Sequence, residues 1–139
     1  MATMKKVLDV NLYAPFAMTK MLLPSLIKGR GRVINIASLA GKVSVFGGAA
    51  YAASKHGMFG FSNTIRAELF PLGIDVITIA PGFMKTPIVT GTLKTLETCW
   101  QQQSQETRDL YGAGFYGKFR NHLASINFFV RGWFLFPPF

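Results

Sequence analysis

With Cys99 as its one cysteine, the chain cannot close a disulfide within itself and is compatible with a reducing compartment. Cys99 falls in a helical-looking LETCW run and reads as a small buried residue rather than a nucleophile. Acidic residues are scarce: 6 Asp and Glu stand against 15 Lys and Arg, for a net charge of +9. Such an excess raises nucleic acid and anionic membrane as partners. The basic residues are scattered, however, and the densest group, Lys28-Gly-Arg-Gly-Arg32, reads as a helix-to-strand turn, so no nucleic-acid partner is expected. Also missing is an apolar run of the roughly 18 residues that a transmembrane helix needs. The opening MATMKKVLDVNLYAPF has neither an uninterrupted apolar core nor a small-residue cleavage site, and no secretory signal is expected from it. There are no internal repeats and no low-complexity linker, and no metal site is expected.

What is present suits one folded domain. Of 139 residues, 50% are hydrophobic, 14% aromatic and only 15% charged, enough apolar surface for a sizeable core. Residues 4–28 carry Val7, Val10, Leu12, Phe16, Leu22, Leu23, Leu26 and Ile27, as a largely buried helix would. Two prolines interrupt it. Pro15 has no N–H, so the carbonyl of Asn11, four residues back, loses its helical partner. Two outcomes are open: a break that frees the Asn11 carbonyl to hold a water, or a plain kink with a capped side chain. Gly29 and Gly31 then end the helix.

Val33 to Ala37 is short and apolar, as a parallel strand covered on both faces would be. A glycine-bearing loop over Leu39 to Ala49 leads to a second helix, about Ala50 to Leu69, in which Gly57 and Gly60 permit close approach to a neighbour. Pro71-Leu72-Gly73 stops it, and Asp75 to Ala80 is a second strand, completing a strand–helix–strand unit. Thr92 to Tyr111 reads as a polar-faced helix. The stretch Ala124 to Phe139 is aromatic, aperiodic and proline-ended. The domain reading is therefore a body over residues 1–119 followed by an atypical tail over 120–139.

The chemistry-bearing residues lie between the two strands. Ser38 stands at a strand's carboxyl end, the edge where open α/β sheets bind ligands. Tyr51 and Lys55 are one helical turn apart and share a face. Phenols ionise near pH 10 and are poor bases at neutrality. A cation about 5 Å away, at an effective dielectric near 20, favours a phenolate by roughly 3 kcal/mol. Further help would have to come from a donated hydroxyl and a positively charged cofactor ring. Taken alone, a Tyr-x-x-x-Lys pair is more often packing beside a solvated charge.

Four motifs in order change that weighting. Val10-Asn11-Leu12 on a helix, Ile36-Ala37-Ser38 ending a strand, Tyr51-x-x-x-Lys55, and Pro81-Gly82 with Thr86 resemble the carboxyl-terminal catalytic half of a short-chain dehydrogenase/reductase. The stretch TPIVTGTLKTLETCWQQQSQETRDLYGAGFYGKF resembles the retinol dehydrogenase and 17β-hydroxysteroid dehydrogenase type 6 branch. The resemblance implies an α/β fold, a partial Rossmann-like doubly wound parallel sheet lacking its first strands. It implies hydride transfer between NAD or NADP, NAD being favoured, and a small lipophilic alcohol or ketone such as a retinoid or steroid. Tyr51 would be the general acid/base, Ser38 would bind the substrate oxygen, and Lys55 would favour the phenolate and hold the nicotinamide ribose. Asn11 would hold a relay water, and Pro81, Gly82 and Thr86 would line the nicotinamide.

His56 reads as structural or surface, and Trp100 and Phe83 as either substrate-site or core residues. The family's T-G-x-x-x-G-x-G turn and N-N-A-G segment have no counterpart in this sequence, so a truncated or partial chain, inactive alone, is the expectation. The resemblance also implies pairing between subunits through the two long helices. A non-catalytic subunit that binds a full-length homologue is therefore the alternative. Localisation is expected at the endoplasmic reticulum membrane, through segments outside this stretch, or in the cytoplasm.

Overall fold

The computed structural model of the chain describes residues 2–43, 47–82, 87–125 and 133–135. It divides into two compact units, Met1–Gly82 with Gly132–Phe139, and Phe83–Arg131. Among the described residues no helix is long and apolar enough to cross a membrane.

The first unit opens with a helical run in three parts. Helix α1 (Ala2–Leu8) passes into a single π turn (Asp9–Tyr13) and on into α2 (Ala14–Gly29). The π turn answers Pro15. The Ala14 N–H reaches back five residues to the Asp9 carbonyl, so one extra residue enters the turn. Pro15 then falls at the start of α2, where a missing N–H is tolerated. The helical run thus continues through Asn11, whose side chain finds a partner in Ser54 of the helix that follows the first strand. At the far end Arg30, not a glycine, takes the left-handed position at φ 44°. The Arg30 and Gly31 N–H groups close the last turn on the carbonyls of Ile27 and Leu26.

Strand β1 (Arg32–Ile36) follows, then a short turn (Leu39–Gly41), helix α3 (Ala49–Leu69) and strand β2 (Asp75–Pro81). β1 and β2 are parallel, Asn35 opposite Thr78, as the strand–helix–strand reading requires. A third strand, β3 (Trp133–Leu135), comes from the aromatic tail and pairs antiparallel with Ile79 to Pro81. Helix α3 is the axis of this unit. Its apolar stripe buries Met58 and Phe59 with Ala37 and Ala80, and Ile65 and Leu69 with Ile74 and Val76. Full burial of a side chain such as Met58 is worth about 1.5–3 kcal/mol.

Polar struts reinforce that packing. Asn35 on β1 donates to Ser62 on α3 at 2.9 Å, and both are buried. Arg66 donates to the Val76 carbonyl at 2.8 Å and to the Thr78 hydroxyl at 3.2 Å, tying α3 to β2.

Two burial expectations fail. The helix over 4–28 is not largely buried: α2 has no buried residue, and Val10, Phe16, Leu22 and Ile27 are exposed, with Met21 79% exposed. Its Leu12, Leu23 and Leu26 pack against the core. Strand β1 is not covered on both faces, because alternate residues point to opposite sides. Asn35 and Ala37 face α3, whereas Ile34 is 51% and Ile36 52% exposed.

The second unit is helical: α4 (Pro87–Gln101), α5 (Gln105–Tyr111) and α6 (Phe115–Ser125). The single helix expected over Thr92 to Tyr111 is thus broken. Ser104 caps α5 by accepting the Thr107 N–H at 3.2 Å, and Arg108 donates to the Gln101 and Gln103 carbonyls at the end of α4. Trp100 stacks on Tyr116 at 5.4 Å beside Tyr111 and Phe115, a packing role. Cys99 is exposed, contrary to expectation, because it lies off this aromatic face of α4. Phe83 lies outside the described residues.

The glycines of the first unit are not equivalent. A Cβ on Gly41 would meet the Lys55 carbonyl oxygen at 2.5 Å and carbon at 2.7 Å, whereas one on Gly60 meets nothing within 4 Å. Close approach is therefore required at Gly41 and Gly57, and the reading of Gly60 as a contact glycine fails. Gly41→Ala should destabilise the chain by about 1–3 kcal/mol, and Gly60→Ala, on an exposed helix surface, should stabilise it by about 0.5–1 kcal/mol. Denaturant unfolding of the two variants measures both.

Candidate active site

Three sequence-predicted residues lie around the start of α3, two on the helix itself and one at the end of the strand that precedes it. Ser38 follows β1 and caps the turn at Leu39–Gly41; its Oγ accepts the Ala40 N–H at 3.2 Å, which leaves the hydroxyl proton to donate elsewhere. That turn lies directly on α3, through the contact of Gly41 with the Lys55 peptide. Tyr51 and Lys55 sit on one face of α3, with the Lys55 ammonium over the Tyr51 ring at 5.7 Å from its centroid. Tyr51 is 42% exposed, so a ligand can reach its phenol.

The Lys55 ammonium also donates to the Ile36 carbonyl at 3.1 Å. The Ala37 N–H bonds to Ile79 on β2, so by the pleat's alternation the Ile36 carbonyl faces away from β2. Lys55 therefore reaches over the sheet's carboxyl end, two residues before Ser38. Burial lowers its pKa below the ordinary 10.5.

Asn11 joins from the π turn. Its Nδ2 donates to Ser54 Oγ at 3.1 Å, and Ser54 Oγ donates to the Tyr51 carbonyl at 2.7 Å. Leu12, the next residue, touches α3 at Gly57, where a Cβ would meet Leu12 Cδ2 at 2.8 Å. Pro81 and Gly82 lie at the carboxyl end of β2, the strand beside β1, on the same sheet edge as Ser38. Thr86 lies outside the described residues. His56 is exposed and donates from Nδ1 to the Ala52 carbonyl one turn back, in keeping with a surface role.

Sequence reading missed Ser54 and the closeness of Gly41. Ser54 carried a signal, since it is a small polar residue flanked by Tyr51 and Lys55 and three residues before a contact glycine. Gly41 gave none beyond a general glycine enrichment of its loop.

The lowered Lys55 pKa has a definite sign in stability. Just below pH 10.5 the unfolded chain holds more protons than the folded one, so the cost of burying the ammonium fades as pH rises through that interval. The stability of the wild type relative to Lys55→Met should increase with pH there, which pH-dependent denaturant melts can read. A flat difference would mean that Lys55 is not desolvated.

Most of the chain resembles known proteins. The short chain dehydrogenase family model matches residues 1–97. Retinol dehydrogenase 16 of Mus musculus is 37% identical over 123 residues, covering 87% of this chain and 38% of that protein. Retinol dehydrogenase 5 of Homo sapiens is 39% identical over 117 residues, 83% of this chain and 36% of that protein. The solved structure of 4-hydroxyisoleucine dehydrogenase complexed with NADH aligns with a TM-score of 0.58 and 34% identity, over 66% of this chain and 41% of that one. The chain thus spans under two fifths of the length of these curated relatives. It belongs to the short-chain dehydrogenase family, within which its likeness is to the retinol dehydrogenase branch.

Proposed function

We propose that these residues form the proton-handling centre of an NAD(P)-dependent oxidoreductase that interconverts a small lipophilic alcohol, a retinoid or steroid, and its ketone or aldehyde. The observation that carries the reading is the shared face of Tyr51 and Lys55 on α3, set against the carboxyl end of β1 where Ser38 stands. The names of the related retinol dehydrogenases support a retinoid substrate, and the NADH complex of a structural neighbour supports a nicotinamide cofactor, NAD being favoured.

The residues fit the nicotinamide end of such a cofactor. Lys55 supplies a cationic donor and Tyr51 a phenol for a ribose, while Pro81 and Gly82, followed by Thr86, would line the ring beside the same sheet edge. When bound, the nicotinamide supplies the hydride acceptor or donor. Every other step belongs to the chain. Ser38, one lone pair taken by the Ala40 N–H, donates a hydrogen bond to the substrate oxygen and orients it. Tyr51 takes the alcohol's proton in oxidation and returns it in reduction. The ammonium of Lys55, over the Tyr51 ring, supplies positive charge beside that oxygen. Asn11, whose carbonyl has Pro15 at its helical donor position, holds a relay water.

A second reading has its own support. The apolar surface exposed on α2, including Phe16, Met21 and Leu22, suits pairing with a full-length homologue through the long helices. Such a chain would regulate the homologue without turning over substrate.

If the chain turns over by itself, its alcohol-dependent NADH formation should fall at least about a thousandfold in Tyr51→Phe, because the acid/base oxygen is removed. Absence of turnover in the wild type, together with tight NADH binding, would instead assign a sensing or regulatory role. Mixing the chain with a full-length homologue separates the second reading: a change in the homologue's assembly mass or rate supports it, and no change in either sinks it.

A further inference from the structure

Ser54 lies between Tyr51 and Lys55, and the reaction gives it no part. Its side chain is fully buried, at 0% exposure. The hydroxyl accepts from Asn11 Nδ2 at 3.1 Å and donates to the Tyr51 carbonyl at 2.7 Å. A hydroxyl has one proton and two lone pairs, and here the proton and one lone pair are committed in opposite directions. Ser54 thereby links two segments that lie 43 residues apart in sequence, the π turn bearing Asn11 and the turn of α3 bearing Tyr51. The spacing of the two helices is already set by Leu12 against Gly57. What the hydrogen bonds add is rotation and register. A π turn holds one residue more than an α turn, so a slip to α-helical register would carry Asn11 away from Ser54.

We propose that Ser54 is a positioning residue. It locks the π turn in register with the Tyr51–Lys55 turn and so holds the Asn11 carbonyl at the candidate site. The catalytic consequence rests on the oxidoreductase reading, while the lock itself does not. Ser62 supplies the matched comparison: it is equally buried, accepts from Asn35 Nδ2 at 2.9 Å and donates to the Met58 carbonyl at 2.6 Å, but it faces β1.

The test is amide hydrogen exchange by NMR on the full chain, read at Ala14, whose N–H bonds to Asp9 in the π turn. Ser54→Ala should speed exchange at Ala14 about tenfold more than Ser62→Ala does, the loss expected of one buried hydrogen-bond partner. Should Ser54→Ala fail to fold, Asn11→Ala removes the same link from its half-buried side, and the same opening is expected. Where turnover is measured, Ser54→Ala should lower kcat about tenfold at unchanged KM, and Ser62→Ala should move neither. Equal Ala14 exchange in the two serine variants would make Ser54 an ordinary core hydroxyl and overturn the proposal. Selective opening of the π turn in a protein that neither turns over nor binds NADH would uphold the lock and remove the oxidoreductase reading instead.

Discussion

The structure of the site depends on the contact of Gly41 with the Lys55 peptide. At that point the turn after β1 meets the backbone of α3 without an intervening side chain. Hydrogen bonds from flexible side chains could not by themselves fix this distance, because they accommodate several tenths of an ångström. Backbone contact leaves no such slack, since interiors at close-packed density do not compress. Ser38 is thereby held near the turn that carries Tyr51 and Lys55, and the Lys55 ammonium can reach the Ile36 carbonyl.

Polar groups then fix α3 against three elements in turn. Ser54 meets the π turn, Ser62 meets β1, and Arg66 meets β2. Each is satisfied within the fold, so the desolvation cost of burial is offset and the bonds serve specificity of packing more than net stability. The apolar stripe of α3 supplies the drive, and the struts select one rotation of the helix. That division explains how a helix with two close glycine contacts nonetheless presents Tyr51 in a defined direction.

Much of this arrangement was legible in the sequence because it follows from local rules. Pro15 removes a donor four residues after Asn11, and a disturbance at Asn11 follows whatever the tertiary fold; a missing donor does not by itself specify a π turn. The i,i+4 spacing of Tyr51 and Lys55 requires only a helix. Burial was less legible. Val10, Phe16 and Leu22 fall on different faces of the helix, and apolar residues all round it cannot say whether a second layer covers them. Likewise an apolar β1 reads as covered on both faces, although only its Asn35 and Ala37 side packs on α3. Gly41 and Gly60 look alike in sequence and differ wholly in their surroundings. The break between α4 and α5 rests on Ser104 as a cap, a signal that a polar run of glutamines masks.

Under the proposed function, the carboxyl edge of β1 and β2, with the first turns of α3, would receive the nicotinamide end of a dinucleotide. Backbone amide shift mapping of the full chain with NADH tests it directly. The account predicts shifts centred on Ser38, Tyr51, Lys55 and Gly82, with the helices of the second unit contributing less. Saturating NADH that moves none of these amides, or moves only those of α5 and α6, would contradict it.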